Sequence, residues 1–333
     1  MKVRKKVLAL LLAAVTTLSM GVTAFATEGG ATHTDETEVT VTKKYVAANP
    51  DTISPAETFT LVQVGDGVVT DGDADSAPAL GTITGASFVE GAATATGAEA
   101  DITITLPTYD RVGVYEYTLQ EVAGKTAGVT YYGDEIKLVV TVMQDGTGKI
   151  RVAGVHTESP VDTGNKEGNK SDTFVNTYSA GTLSVSKTVA GNMGDHEKYF
   201  AFEITLNGVE GKTYANPYAI TGGSNKANPT AMAVGETVTV WLKDGETINI
   251  ANLPYGVTYT VTEADYTEDD YTTTKTGDTG TINAATQTAS FTNTKTGEVD
   301  TGITLDTLPY ILVFGLVMIA AVVMIVRRRR VED

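Results

Sequence analysis

Val39-Thr-Val41-Thr-Lys43 and Leu183-Ser-Val185-Ser-Lys187 are the two stretches on which the reading of this chain turns. Each alternates apolar and polar residues, the period-two pattern of a strand with one buried face, and in each a lysine falls in the apolar phase. Both are followed by matching partners. Tyr115-Glu-Tyr117-Thr-Leu119-Gln-Glu121 follows the first, and Val257-Thr-Tyr259-Thr-Val261-Thr-Glu263 the second. Each ends in a glutamate that shares phase with its apolar residues. Phe174-Val-Asn176 and Phe291-Thr-Asn293 then close the two segments, with asparagine in phase with phenylalanine. The lysine and glutamate are 78 residues apart in the first segment and 76 in the second. The chain therefore carries an internal repeat, broken near Ser179-Ala180-Gly181, and each copy aims a lysine, a glutamate and an asparagine into a core.

The remaining pattern agrees with an all-β fold. Ile136-x-Leu138-x-Val140-x-Val142 and Phe200-x-Phe202-x-Ile204-x-Leu206 alternate in the same way, and Gly- and Asp-rich turns separate the runs. This predicts two tandem immunoglobulin-like β-sandwich domains, over 27–178 and 181–297. The 333 residues hold 41 acidic and 24 basic side chains, giving a net charge of −17. Such a chain has little to offer a nucleic acid, whose binding relies on cationic side chains displacing phosphate counterions. The absence of cysteine removes disulfides, thiolate metal sites and thiol nucleophiles. Three scattered histidines, His33, His156 and His196, make no metal site.

Both ends read as processing signals. Lys2, Arg4, Lys5 and Lys6 precede the apolar run Val7–Val15, and Ala24-Phe25-Ala26 supplies a small-residue cleavage site, so residues 1–26 read as a signal peptide. Near the other end, Leu308–Val326 is apolar and uncharged, long enough to cross ~30 Å of hydrocarbon. Arg327–Arg330 follow and mark the cytoplasmic side. Everything between is expected outside the cell. Removing both ends takes away more basic than acidic residues, so the mature chain is more acidic than its precursor.

The repeated triplet has a chemistry of its own. Burial disfavours charge, lowering a lysine pKa and raising that of a glutamate. A neutral ε-amine is a nucleophile and the asparagine amide an electrophile, while a protonated glutamate can hydrogen-bond the amide oxygen and shuttle protons. The product is a Lys–Asn isopeptide bond formed once, with loss of ammonia and without a cofactor. Lys44 is the rival to Lys43, but its phase is outward.

These residues and signals together resemble a Gram-positive sortase-assembled major (backbone) pilin of the streptococcal T-antigen type. The second domain is also similar to the B-type repeat of collagen adhesins, including its Leu253-Pro254-Tyr255-Gly256 turn. The resemblance implies bonds between Lys43 and Asn176, promoted by Glu121, and between Lys187 and Asn293, promoted by Glu263. For loops of this size a crosslink is worth about 4–5 kcal/mol by chain-entropy arguments. It also implies that residues 298–333 form a sorting signal. The segment Glu298-Val299-Asp300-Thr301-Gly302 stands in the place of an L-P-x-T-G motif, with Thr301 and Gly302 matching and Val-Asp departing from the usual Leu-Pro or Val-Pro. Cleavage would fall between Thr301 and Gly302. The intersubunit acceptor amine is expected in the loop before Phe174, where Lys170 is the first choice and Lys166 and Lys198 are substitutes.

The function implied is a structural backbone subunit of a covalent pilus. A minor or tip pilin, or a wall-anchored adhesin for a host ligand, is the alternative. Its partners would be a class C-type pilin sortase, neighbouring pilin subunits, tip or minor pilins, and peptidoglycan through a housekeeping sortase. The location would be the cell-wall surface of a Gram-positive bacterium, reached from a membrane-anchored precursor. No external substrate and no cofactor are expected. The Asp-Thr-Gly tripeptides at Asp162 and Asp300 lack the apolar strand that an aspartic-protease motif needs. Asp71-Gly72-Asp73-Ala74-Asp75 begins like a calcium loop, but Thr82 stands where a bidentate glutamate is required, so it reads as a solvated acidic turn.

Overall fold

A computed structural model describes residues 35–72, 74–159, 170–215, 217–298 and 308–329. The signal peptide, Lys166, Asp162, Asp73, Asp300, Thr301 and Gly302 lie outside the described residues.

The first half contains β1 (Glu38–Ala47), β2 (Glu57–Gln63), β3 (Val68–Gly72), β4 (Gly85–Phe88), β5 (Ala98–Thr105), β6 (Gly113–Glu121), β7 (Val129–Thr130), β8 (Ile136–Gln144), β9 (Ile150–Glu158) and β10 (Thr173–Tyr178). The second contains β11 (Ala180–Ala190), β12 (Phe200–Asn207), β13 (Tyr218–Gly222), β14 (Ala231–Met232), β15 (Thr237–Leu242), β16 (Thr247–Pro254), β17 (Thr258–Glu263), β18 (Thr272–Thr276), β19 (Thr279–Thr281) and β20 (Thr286–Thr294). A single helical turn, Thr267–Asp269, interrupts the strands, and α1 (Leu308–Arg329) ends the described chain. The helix runs past the predicted Leu308–Val326 span into the arginines. Its segment Tyr310–Arg328 has a mean hydropathy of 2.6, and it is long and apolar enough to cross a membrane.

Each half packs two sheets face to face. In the first, β5-β1-β10-β7 lies against β4-β2-β6-β8-β9, with β3 also pairing to β6. In the second, β14-β13-β16-β11-β20-β18 lies against β15-β12-β17-β19. The expected alternation is visible directly, since every second residue of β1 from Val39 to Ala47 is buried. Two hydrophobic cores result. One is built around Tyr45, Phe59, Tyr117, Leu138 and Phe174, and the other around Phe200, Phe202, Ile250, Val261 and Phe291. Ala180, at the start of β11, packs with the first core.

The decisive feature of both sandwiches is that the first strand pairs parallel with the last, β1 with β10 and β11 with β20. Hairpins cannot make such a pairing, so each domain is closed by contacts between its chain ends. Only Ser179 separates β10 from β11, and the junction is tied on several sides. Asn252 holds a left-handed φ of 62° and exchanges hydrogen bonds with the Ile53 backbone, donating to the oxygen at 2.8 Å and accepting from the N–H at 2.9 Å. Asn49 donates to the Ala180 carbonyl and the Tyr255 hydroxyl, both at 2.7 Å. Thr213 takes part in a short parallel bridge with Thr126.

Beyond β20, the Lys295 N–H donates to the Ala190 carbonyl at 3.0 Å, pinning the exit of the chain against the end of β11. Gly191 makes this possible. Its φ is +89°, and a Cβ there would lie 2.0 Å from the Lys295 carbonyl oxygen. Gly191→Ala is therefore expected to cost more than about 1 kcal/mol and to lower the melting temperature. Gly133→Ala, with nothing within 4 Å of the added carbon, serves as the neutral control in the same thermal melt.

Candidate functional site: a lysine, glutamate and asparagine in each core

The parallel closure sets the geometry of both sites in the same way. Lys43 is the register partner of Phe174, and Lys187 of Phe291. Asn176 and Asn293 lie two residues further along, on the same face as the lysine and within diagonal reach. The glutamates arrive from the facing sheet. Glu121, at the end of β6, pairs with Leu61, and Glu263, at the end of β17, pairs with Phe202. Lys43, Asn176, Lys187 and Asn293 are all at most 1% exposed, and the Glu121 side chain is sealed. The Glu263 side chain is 3% exposed.

In the first core the three side chains close a ring. The Lys43 ammonium donates to Glu121 Oε2 and, at 2.7 Å, to Asn176 Oδ1. Asn176 Nδ2 donates to Glu121 Oε1 at 2.6 Å. The Tyr132 backbone N–H adds a further bond to Glu121 Oε1 at 3.2 Å. In the second core, Lys187 Nζ and Asn293 Nδ2 both donate to one carboxylate oxygen, Glu263 Oε1, at 2.7 and 2.9 Å. Glu263 Oε2 and Asn293 Oδ1 are buried without a hydrogen-bond partner. Two orphaned acceptors in one cluster are costly, and a proton on the glutamate is the simplest way to satisfy them. A cleft lined by Glu263, Asp265, Tyr271, Lys275 and Phe291 opens beside this second cluster.

Burial pulls the Lys43 and Lys187 amines below the usual lysine range, opposed by their hydrogen bonds and charge attraction to Glu121 and Glu263. Desolvation pushes the Glu263 carboxyl upward, against the pull of Lys187 and the Asn293 amide. The direction is the one that chemistry requires, an amine nearer neutrality and a carboxyl nearer protonation. Aromatic rings complete the surroundings. Lys43 Nζ sits 5.2 Å from the centroid of Phe59 and 5.6 Å from that of Tyr132, and Lys187 Nζ sits 4.2 Å from Phe200. Sequence reasoning did not single out these rings as site residues. Phe200-x-Phe202 was legible as core, but nothing in its spacing says that a ring faces an amine on the other sheet.

Lys44 points outward, as its phase predicts, and pairs with Glu99 at 3.2 Å. Lys170 is exposed and forms an isolated antiparallel bridge opposite Glu158. Lys198 is engaged by Asp269, an ion pair that raises its pKa and holds it charged. Among the described residues, no group of three or more histidine or acidic side chains could hold a metal ion.

Two β-sandwiches, each closed by parallel pairing of its ends over a buried Lys–Glu–Asn cluster, define a tandem-sandwich protein with a C-terminal apolar helix. The comparisons with known proteins narrow this class. Residues 39–179 match the profile of the Spy0128-like isopeptide containing domain, and residues 181–295 match a domain of unknown function, DUF7601. A pilin from Streptococcus pyogenes serotype M1 is 30% identical over 328 residues, covering 90% of this chain and 93% of that protein. The pilus tip adhesin Cpa of Streptococcus pyogenes is 35% identical over 81 residues, 24% of this chain and 11% of that protein. Among solved structures, the major pilin from Streptococcus pyogenes superposes with a TM-score of 0.51 at 25% identity, over 79% of this chain and 100% of that one. The T3.2 major pilin of Streptococcus pyogenes shares the fold at 20% identity, with a TM-score of 0.51 and coverage of 79% and 99%. The chain belongs to the streptococcal pilin family and is a backbone pilin subunit.

The clusters make one stability prediction that does not depend on any covalent step. Glu263→Ala leaves the buried Lys187 ammonium without its acceptor, whereas Lys187→Met removes the charge and keeps the stem. Glu263→Ala is therefore expected to be the less stable of the two, by up to about 3 kcal/mol, in parallel denaturant titrations.

Proposed function

We propose that each domain closes a covalent Lys–Asn bond inside its core and that the subunit is then polymerised by a sortase. The observation that carries this reading is the recurrence of the same three buried side chains, at the same register positions, in two domains of different sequence. In each, the lysine amine begins neutral and the glutamate protonated. Nζ attacks the asparagine Cγ and an N–C amide bond forms. The carboxyl gives its proton to Nδ2 and takes one from the attacking Nζ, so the Cγ–Nδ2 bond breaks and ammonia leaves. The carboxyl ends protonated, as it began, and no cofactor is consumed. Lys43, Glu121 and Asn176 act in the first domain, and Lys187, Glu263 and Asn293 in the second.

The bond ties the first strand of a domain to its last, the two strands that carry the chain in and out. Pulling force then passes along a covalent path and not across a hydrogen-bond ladder. The domains serving this role are 27–178 and 181–297.

Polymerisation requires an acyl donor and an amine. Thr301, released from Gly302 and held on a class C-type pilin sortase, is the donor, and Lys170 of the next subunit is the acceptor. Lys170 is supported by its exposure at the edge of β9, while Lys198 is disfavoured because Asp269 holds its proton. The sorting signal 298–333 first retains the precursor in the membrane. A housekeeping sortase then joins the finished polymer to peptidoglycan, and a tip or minor pilin caps it.

Two experiments test the reading. Wall extracts boiled in detergent should show a high-mass ladder, and Lys170→Ala should collapse it to monomer; a ladder that persists moves the acceptor elsewhere. Bond closure in the refolding second domain should follow a bell-shaped pH profile, because it needs a neutral Lys187 and a protonated Glu263. Raising the pH deprotonates the amine on the rising limb and the carboxyl on the falling limb. A gel-mobility assay of closure that gives a flat profile would remove Glu263 from the proton relay.

A further inference from the structure

The outer face of the β13-β16-β11-β20-β18 sheet carries no charge. Between Thr182 and Ala190 on β11, and at the register positions beside them, every outward residue is threonine, serine, asparagine or alanine. Thr247, Ser186, Ser290 and Thr276 make one row across four strands. The Ser186 hydroxyl donates to Ser290 at 3.0 Å within it. In a chain of net charge −17, this absence is specific to one face. The other three outer faces carry carboxylates, namely Glu38, Glu99 and Asp101 around β1, Glu116 and Glu158 across β6 to β9, and Glu203 on β12.

We propose that this face is the lateral contact between neighbouring polymers, and that its occupant is the same face of a second copy of this chain. A hydroxyl both donates and accepts, so a field of threonines is complementary to itself. Copies approaching through any other face would have to desolvate carboxylates, some of them already paired to Lys44 and Lys137, which is costly. The size of the face decides where the contact matters. Five strands at ~4.8 Å spacing and about eight residues of length give roughly 500 Å² per copy, below the ~800 Å² per partner of a standard stable complex. A free subunit therefore stays monomeric. Along a covalent polymer the contact repeats with every subunit, and each contact made raises the effective concentration of the next. Fibres then associate side by side although subunits do not. This rests on the polymerisation proposed above.

The test uses fibres released from cells producing the full chain and measures their widths by negative-stain electron microscopy. Wild-type fibres are expected in bundles of two or more. Thr274→Glu/Thr288→Glu, at exposed positions of the uncharged face, should give single fibres. Thr260→Glu/Thr279→Glu, at exposed positions of the opposite sheet, should bundle as the wild type does. Wild-type fibres that are wholly single, bundles that survive the first pair, or equal dispersal by the second pair would each overturn the proposal. Glycan mass on the threonines would do so too, by making carbohydrate the occupant. If no fibres form, the polymerisation reading fails, and the face is read by threonine-methyl NMR of the concentrated soluble chain. Concentration-dependent shifts confined to this face would uphold the self-contact, and their absence would refute it.

Discussion

A lysine amine in a dry β-sandwich core is the constraint from which the rest of this structure follows. It is tolerated because a carboxyl and an amide meet it there, and those three groups converge because each domain ends by laying its last strand parallel to its first. The asparagine lies two residues beyond the register partner of the lysine in both domains. The glutamate comes from the opposite sheet in both. Sheet pairing, core packing and side-chain chemistry are thus set by one arrangement, and a domain that failed to close its ends would leave an unpaired charge in its interior.

The two clusters are not identical, and the differences have physical content. The first is a closed ring in which the lysine bonds both the carboxylate and the amide oxygen. The second hangs two donors on one oxygen and leaves two acceptors unmet beside an open cleft. The second cluster borders this cleft, although its two unmet acceptors stay buried. The first depends on the sealed contacts of Glu121, Phe59 and Tyr132.

Much of this was legible in the chain itself, for a definable reason. Strand side chains alternate with a period of two, so the phase of Lys43, Glu121 and Asn176 was enough to send them inward, and the repeat in the second half made accident untenable. Outward Lys44 followed from the same rule. What was not legible depends on contacts between segments far apart in sequence. Over the lysines, the rings of Phe59 and Phe200 come from the facing sheet and that of Tyr132 from the loop after β7, and no local pattern says that they meet an amine. Asn252 directly precedes the Leu253-Pro254-Tyr255-Gly256 turn, and no sequence pattern marks it. Its role in joining the domains rests on a left-handed backbone conformation and on Ile53, 199 residues away. The uncharged face was also hidden, because threonine is a common strand residue and only the register shows that five strands align theirs.

The central claim is that each core is closed by an amide, and intact mass spectrometry of the wild-type mature chain tests it most directly. Each bond expels one ammonia, so the account predicts a mass ~17 Da low per domain, ~34 Da in all. Proteolysis should then release peptides linking Lys43 to Asn176 and Lys187 to Asn293. A folded chain of unshifted mass would contradict it and leave the two clusters as buried ion pairs alone.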